Sequence, residues 1–176
     1  MAKNTAITAA QIRAILHYDP LTGIFRWHAR TGSARYTRTF NSRFAGKVAR
    51  SPDSHGHLRI NIGGVFYAAH RLARAYMTGE WPADQIDHID MDRQNNRWAN
   101  LREATNAQNN SNRRVQSNNK IGLKGVSFCL STKKYRATIT ADGKQRTLGR
   151  FDCPAAAHFA YVIAADQLHG EFARAS

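Results

Sequence analysis

The sequence predicts an α+β fold in which small sheets and short helices alternate along the chain. Three observations predict it. Short segments alternate apolar and polar side chains at strand spacing, capping-box signals mark helices between them, and 42% apolar residues in 176 positions suffice for one or two compact cores. A polar stretch at 113–120 lacks an apolar period and predicts a linker. We therefore expect one unit from regions 1–80 and 81–112, and a second unit at 121–176.

The first region is predicted to be a mixed sheet with two short helices. A capping box at Thr8 precedes a helical stripe of apolar residues, and a second helix is expected at 70–77. Residues 23–27 and 58–62 alternate like strands, and Gly63-Gly64 is typical of a hairpin turn into a further strand. The mixed N-terminal sheet region follows from these segments.

Charge suggests a polyanionic partner. Lys and Arg total 26 against 12 acidic residues, a net charge of +14, which favours nucleic acid because cations beside phosphates release counterions. The stretch from Arg30 to Arg50 has no acid, and we interpret it as a loop-rich basic surface along DNA. A membrane surface is the alternative, but no apolar run approaches the roughly 20 residues of a span and no signal-peptide core is present. We expect a cytosolic protein.

The two cysteines, Cys129 and Cys153, lie far apart in the sequence and outside any CxxC pattern. This spacing supports neither a disulfide framework nor a Cys-rich zinc site. The acids are more telling, because residues 81–120 hold 5 of the 12 carboxylates in the chain. In a protein that approaches phosphate, such a cluster is typical of a divalent-cation site.

The segment 85–112 combines a strand, a loop and a helix. Gln85-Ile86-Asp87-His88-Ile89-Asp90 is predicted to be a strand, an Asn-rich loop follows, and a capping box at Thr105 starts the helix. Asn109 on that helix can reach back toward Asp87, and the two oxygen donors suit Mg²⁺. Neutral His88 beside them can remove a proton from an attacking water. These parts suffice for phosphodiester hydrolysis.

This constellation resembles the HNH nuclease family, whose ββα-metal motif has Asp-His on a strand, Asn in the middle loop and His or Asn on a helix. Eleven residues separate His88 from Asn100 and eight separate Asn100 from Asn109. The resemblance implies that His88 is the general base, that Asp87 and Asn109 hold a divalent metal, Mg²⁺ or Mn²⁺, and that Asn100 fastens the loop. It also implies cleavage of double-stranded DNA to 5′-phosphate and 3′-hydroxyl ends.

The element His70-Arg71-Leu72 ahead of the motif is similar to the HRL element of phage-type HNH proteins. We expect His70 to be a packing or backbone-bonded histidine and not a second base. We also expect His70 and Arg71 to belong to the DNA-contacting surface, with Arg71 at a phosphate. The pair His55 and His57 is interpreted as solvated loop histidines. Further DNA contacts are expected from the cations of the motif and the linker, namely Arg97, Arg102, Arg113 and Arg114.

The second unit is predicted to be a three-stranded antiparallel sheet packed on one helix. Strands are expected at 125–128, 135–140 and 145–149, with Asp142-Gly143 as a hairpin turn and a helix beginning at Pro154. Ala156, Phe159, Ala160 and Ile163 are predicted to form one face of that helix.

This unit resembles the Apetala / ethylene-response-factor type of DNA-binding domain through GVSF, KKYRATIT, TLGRFD and PAAAHFAYVIAA. The resemblance implies a sheet that faces the major groove of DNA. Alternation along the middle strand sends Arg136, Thr138 and Thr140 outward, and matching positions add Lys124, Ser127, Gln145, Thr147 and Arg150. The alternative is a solvated sheet face on a basic protein.

Taken together, the chain resembles the homing endonucleases of bacteriophages, which implies residence in the cytosol of an infected host. The first alternative is a DNA-binding regulator that has kept the fold and lost cleavage. An RNA-binding protein explains neither the acidic cluster nor the sheet-type DNA reader, and a nonspecific degradative nuclease would digest unrelated DNA.

Overall fold

The computed structural model describes residues 7–113, 115, 118–141 and 143–173. The chain divides into two compact units, Met1–Glu103 and Ala104–Ser176, each with its own apolar core. Both units combine helices with small sheets, so the predicted α+β class is confirmed. The division comes before the predicted linker, and the helix expected in the ββα core groups with the second unit.

The helices of the first unit are short and are joined by paired strands. The helices are α1 (Ala9–Ile15), α2 (Arg35–Phe44) and α3 (Ala69–Thr78), with a single 3₁₀ turn at Trp98–Asn100. The strands are β1 (Leu16–Asp19), β2 (Ile24–Trp27), β3 (Ser51–Pro52), β4 (Leu58–Ile62), β5 (Val65–Ala68), β6 (Gln85–His88) and β7 (Leu101–Ala104), whose last residue opens the second unit.

The strands of the first unit pair locally. β1 and β2 form an antiparallel hairpin, β3, β4 and β5 form an antiparallel sheet in that order, and β6 pairs with β7. The register places Ile62 opposite Val65, which leaves Gly63 and Gly64 as a two-residue turn with positive φ at both positions. The hairpin predicted from the Gly-Gly pair is therefore confirmed.

The capping box at Thr8 is also confirmed. The Thr8 hydroxyl accepts a hydrogen bond from the backbone N–H of Gln11, and the Gln11 side chain accepts one from the Thr8 backbone N–H. The core begins within this helix and at its end, where Ile12 and Leu16 are fully buried, and the rings of Tyr18 and Phe25 then pack at 4.7 Å.

The prediction of a loop-rich surface from Arg30 to Arg50 was wrong, because ten of these residues form α2. The helix is stabilised by aromatic contacts and not by paired charges. Phe40 packs edge-on against Trp27 at 5.7 Å, and the Arg30 guanidinium lies 3.7 Å from the Phe40 ring centroid. The Asn41 side chain then bonds the backbone N–H and carbonyl of Arg30. The absence of acids was therefore no sign of a loop.

The second unit contains α4 (Asn106–Ser111), β8 (Val126–Cys129), β9 (Lys134–Ala141), β10 (Lys144–Phe151), α5 (Pro154–His169) and a 3₁₀ turn at Gly170–Phe172. The sheet order is β10-β9-β8 and both pairings are antiparallel, as predicted. The capping box at Thr105 starts α4 as expected. The predicted Asp142-Gly143 turn cannot be assessed as a pair, since Asp142 lies outside the described residues.

The apolar face predicted for α5 lies partly in solvent, and a different set of residues packs on the sheet. Phe159 and Ile163 are 67% and 44% exposed, whereas Ala157, Tyr161 and Ala165 are buried. The helix is apolar around much of its circumference, so its sequence did not define which side faces the sheet. Close packing selects the face, since a Cβ at Gly125 would collide with the Tyr161 ring. None of the helices in the described ranges is long and apolar enough to cross a membrane.

Candidate active site

Strand β6 places His88 and Asp87 inside the first unit. Gln85 is exposed, whereas Ile86, Asp87 and His88 are 7%, 5% and 4% exposed. The predicted strand is therefore present, and both of its faces are covered at this end. A buried imidazole and a buried carboxylate need polar partners, and the loop between β6 and β7 supplies several of them.

Asn96 is the partner of the His88 ring. Its side-chain Oδ1 lies 3.1 Å from His88 Nε2, and its Nδ2 donates to the backbone carbonyl of Gln94 at 3.3 Å. Because the amide nitrogen is used as a donor, Oδ1 accepts from His88, and the network assigns the ring proton to Nε2. Asn96 is 1% exposed, so this contact is shielded from water. The arrangement fixes one orientation of the imidazole.

The β1–β2 hairpin anchors the loop that carries Asn96. The Tyr18 hydroxyl donates to the Asn96 backbone carbonyl at 2.7 Å, and the Trp98 N–H donates to the Pro20 carbonyl at 3.0 Å. Burial, assisted by the negative charge of Asp19, raises the pKa of Tyr18, which keeps the phenol protonated as a donor. Gly23 has a φ of +73°, and a Cβ there would lie 2.5 Å from the Arg97 nitrogen. Glycine permits the close approach.

Asn100 ties the two ends of the same loop together. Its Nδ2 donates to Asp90 Oδ1 at 2.9 Å and to the Asn95 carbonyl at 2.8 Å, and its Oδ1 accepts from the Asp90 N–H at 3.0 Å. The Ile89 N–H also donates to the Asn100 carbonyl. Burial opposes ionisation of Asp90, but hydrogen bonds from Asn95 and Asn100 outweigh it and hold the pKa of Asp90 below its usual range.

Arg102 on β7 fixes the Asp87 carboxylate. Its Nε and Nη2 donate to Asp87 Oδ2 at 3.0 and 2.9 Å, and the two side chains are 13% and 6% exposed. Arg102 was predicted to contact DNA, and the structure instead places its guanidinium on this carboxylate.

The predicted metal ligands are Asp87 and Asn109. A carboxylate oxygen and an amide oxygen are hard donors, so this pair fits Mg²⁺ or Mn²⁺ in chemistry. Asn109 lies half-buried in α4 of the second unit, and its meeting with Asp87 stays a prediction.

Two further histidines surround His88. Ring centroids lie 5.2 Å apart for His57 and His70, 5.7 Å for His57 and His88, and 5.2 Å for His70 and His88. Burial, together with the neighbouring His88, lowers the pKa of His70 to about 3 and also lowers the pKa of His57. The expectation that His57 is a solvated loop residue was wrong, whereas His55 is exposed as expected.

Several predicted DNA-contacting cations bond the protein backbone. The Arg71 guanidinium donates to the carbonyls of Asp84 and Pro82 at 2.8 and 3.0 Å. Lys124 Nζ donates to the carbonyls of Ser111 and Arg113, at the end of α4. Both side chains therefore brace local structure. Among the other cations predicted to contact DNA, Arg97 and Arg113 are exposed, and Arg114 lies outside the described residues.

Comparison with known proteins identifies the family. The HNH endonuclease family matches residues 67–111, which span α3, β6, β7 and α4. Protein 3.8 of Escherichia phage T7 is 37% identical over 89 residues, which are 51% of this chain and 73% of the phage protein. The chain belongs to the HNH endonuclease family. As a member of that family it is a DNA endonuclease.

A viral protein and a solved structure are also similar to this HNH endonuclease. An uncharacterized HNH endonuclease of Acanthamoeba polyphaga mimivirus is 34% identical over 96 residues, which are 54% of this chain and 49% of that protein. A solved structure, described as DNA binding and cleavage by the HNH homing endonuclease I-HmuI, has a TM-score of 0.41 and 19% identity, and the match covers 88% of this chain and 85% of that one.

In the second unit of the HNH endonuclease, the predicted outward side chains form rows across the sheet. The register places Arg136 between Ser127 and Arg150, Thr138 opposite Thr147, and Thr140 opposite Gln145. Ala137 and Ile139, which alternate with them, are buried under the helix. The face predicted from strand alternation is therefore present, and a register shift between Thr147 and Gly149 ends its regular part.

Sequence reasoning missed two residues of this site, Asn96 and His57. The run from Asn95 to Asn100 contains three asparagines, and nothing in their order showed that Asn96 is the one that accepts from the His88 ring. For His57 a signal was present. Leu58 and Ile60 are the buried residues of β4, so the residue just before this strand must lie beside the sheet. Its place beside His70 and His88 could not be inferred without the position of α3.

Proposed function

We propose that this HNH endonuclease is a divalent-metal-dependent enzyme that hydrolyses phosphodiester bonds in double-stranded DNA and leaves 5′-phosphate and 3′-hydroxyl ends. A homing role in a bacteriophage is the biological setting that we propose. The observation that carries the proposal is the buried hydrogen bond between His88 Nε2 and Asn96 Oδ1. A base held in one orientation by a shielded partner is what proton removal from water requires.

His88 serves as the general base in this proposal. With the ring proton on Nε2 and donated to Asn96, the lone pair of Nδ1 is the site that accepts a proton from the attacking water. Asn96 is a positioning residue, because it acts on the reaction through the orientation of His88. Asn100 keeps the intervening loop closed through its bonds to Asp90 and Asn95.

Asp87 and Asn109 would hold the metal, with Mg²⁺ or Mn²⁺ as the ion. When bound, the metal stabilises the negative charge that develops on the phosphate and on the leaving 3′ oxygen. The grip of Arg102 on Asp87 Oδ2 supports this role, because it fixes the direction of the carboxylate before DNA arrives.

The outer face of the β8–β10 sheet is the DNA-reading surface in this proposal, in the manner of the Apetala-type domains that the unit resembles. The register supports it, since Arg136 and Arg150 stand directly opposite each other. Like charges in such a pair destabilise a sheet. A bound polyanion would compensate this repulsion. Ser127 beside Arg136, and the rows that contain Thr138 and Thr140, offer further donors to phosphate.

The test is cleavage of supercoiled plasmid and phage genomic DNA with Mg²⁺ or Mn²⁺. We expect His88→Ala to lower the rate about 10²- to 10⁴-fold, the usual contribution of a general base, while DNA binding is kept. EDTA should abolish cleavage by the wild type. The matched control is His55→Ala, which removes an exposed imidazole near the site and should cleave normally. Products that a ligase rejoins would show the expected ends.

Two outcomes contradict the proposal. Wild-type protein that binds these DNAs and fails to cut them with either metal would favour the regulator that has kept the fold. Undiminished cleavage by His88→Ala would remove His88 from the role of base.

A further inference from the structure

Three imidazoles from three separate segments meet in the first unit. His57 precedes β4, His70 lies in the first turn of α3, and His88 ends β6. One ring nitrogen from each lies within 4.8 Å of the others. Segments so far apart in sequence bring three metal-ligating groups together only because the fold places them there.

Two of these rings have buried nitrogens without a hydrogen-bond partner. Among the described residues, Nδ1 of His57 and Nδ1 of His70 are both buried and unpartnered. A buried polar atom left unsatisfied costs on the order of 1–3 kcal/mol, so such atoms are rare unless a ligand or ion satisfies them. Their occurrence on adjacent rings points to a shared ligand.

Charged groups of both signs lie near the three rings. Neutral imidazole is the form that ligates metals, and one nitrogen of each ring lies within 4.8 Å of the others. The Asp53 carboxylate, which accepts from the His57 backbone N–H at 2.9 Å, adds a negative charge nearby. The Arg93 guanidinium, bonded to the His55 carbonyl, opposes it.

We propose that His57, His70 and His88 form a binding site for a transition-metal ion of the Zn²⁺ class, and that this ion inhibits DNA cleavage. Inhibition follows because His88, the general base, cannot accept a proton from water with a lone pair that is bound to the ion. This second part rests on the role proposed above for His88. The site differs from the one that we assign to Mg²⁺, since it offers nitrogen donors and not oxygen donors.

The donor set matches this class of ion. Imidazole nitrogens bind Zn²⁺ at about 2.0–2.1 Å, which places tetrahedral ligand atoms about 3.3 Å apart. The three ligand atoms lie within 4.8 Å of one another, so an approach of at most about 1.5 Å brings them to that spacing. Mg²⁺ prefers oxygen and dehydrates reluctantly, so it competes poorly here. A fourth ligand would be water, as at other three-ligand zinc sites.

The site is tested by titrating metal-free protein with Zn²⁺ against a chromophoric chelator, and with Co²⁺ to observe the absorption of tetrahedral cobalt. We expect one Zn²⁺ per chain in the wild type. His57→Gln should weaken binding by more than about tenfold, since loss of a ligand exceeds the 10- to 100-fold effect of an outer partner. His55→Gln, which removes an exposed histidine two residues away, is the control and should bind like the wild type. Thermal unfolding checks that each variant is folded.

Inhibition is tested separately, by adding Zn²⁺ to cleavage reactions that contain excess Mg²⁺. Wild type and His55→Gln should lose activity as Zn²⁺ binds, and folded His57→Gln should need more than about tenfold higher Zn²⁺. Equal Zn²⁺ affinity in wild type and His57→Gln would overturn the site. Equal inhibition of the two proteins would overturn the proposal that the ion at this site inhibits cleavage. If the wild type cuts no DNA with Mg²⁺, the proposed cleavage fails, while the titration still decides the site.

Discussion

The loop between β6 and β7 and the outer face of the second sheet hold polar side chains in opposite ways. In the loop, Asn96 and Asn100 are buried and every polar atom of their amides is engaged by a neighbour. On the sheet, Arg136 and Arg150 are exposed and stand opposite each other. Geometry is fixed where chemistry is proposed, and charge is left accessible where a polyanion is proposed.

This difference predicts different responses to substitution. Removing a buried amide disturbs a network whose members constrain one another, so the effect reaches reaction rate and folding stability. Removing an exposed cation takes away one contact with DNA and little else, so the effect is graded and depends on salt. Each of the following experiments asks whether the two regions differ in this way.

Among the substitutions that compare the loop with the sheet, the largest effect is expected for Asn96→Ala. Loss of the acceptor frees the His88 ring to rotate and to change tautomer, and we expect cleavage to fall about 10- to 100-fold, within the contribution that a general base makes. Asn96→Asp retains an acceptor and should recover part of the rate. Single-turnover cleavage at saturating protein measures the loss.

Gln94→Ala is the control for this experiment, because the Gln94 side chain is exposed and its contact with Asn96 is through the backbone carbonyl. A wild-type rate for folded Asn96→Ala would show that the orientation of His88 does not depend on this bond. The sharper reading comes from Asn96→Asp, since a variant that only damaged packing would not be rescued by a carboxylate.

The fold and the site could be predicted from the sequence to different depths. Local signals were reliable: the capping boxes at Thr8 and Thr105, the Gly63-Gly64 turn and the three strands of the second unit are all present. Each depends on residues within a few positions of one another. Hydrogen bonds and steric limits at that range are encoded directly in the sequence.

Features that depend on distant contacts were not predicted. The helix α2 is stabilised by Phe40 against Trp27, and the inner face of α5 is selected by the fit of Tyr161 against Gly125. The two histidine rings that lie beside His88 likewise come from α3 and from the turn before β4. Periodicity cannot reveal such contacts, because they exist only once the sheets and helices have packed.

The second effect is a loss of stability in Asn100→Ala. The substitution removes two donated bonds and one accepted bond that join Asp90 and Asn95, and it leaves buried partners unsatisfied. We expect a loss of about 1–3 kcal/mol in the free energy of unfolding, measured with urea. Asn61→Ala is the matched control, since its exposed side chain accepts one bond from Gly64 and should cost less. Equal losses would mean that the loop network contributes no more to stability than one exposed hydrogen bond in a turn.

The smallest effect is expected on the sheet. Arg136→Ala should weaken DNA binding a few-fold and reduce the slope of log affinity against log salt by about 0.9, the value for one phosphate contact. Because Arg136 faces Arg150, its removal relieves repulsion, and thermal stability should stay equal or rise. Lys144→Ala is the control, since Lys144 lies in register with buried Ala141 and not with the outward rows. An unchanged salt slope in Arg136→Ala would leave the sheet as a solvated face, whereas a fall in melting temperature would show that Arg136 contributes to packing.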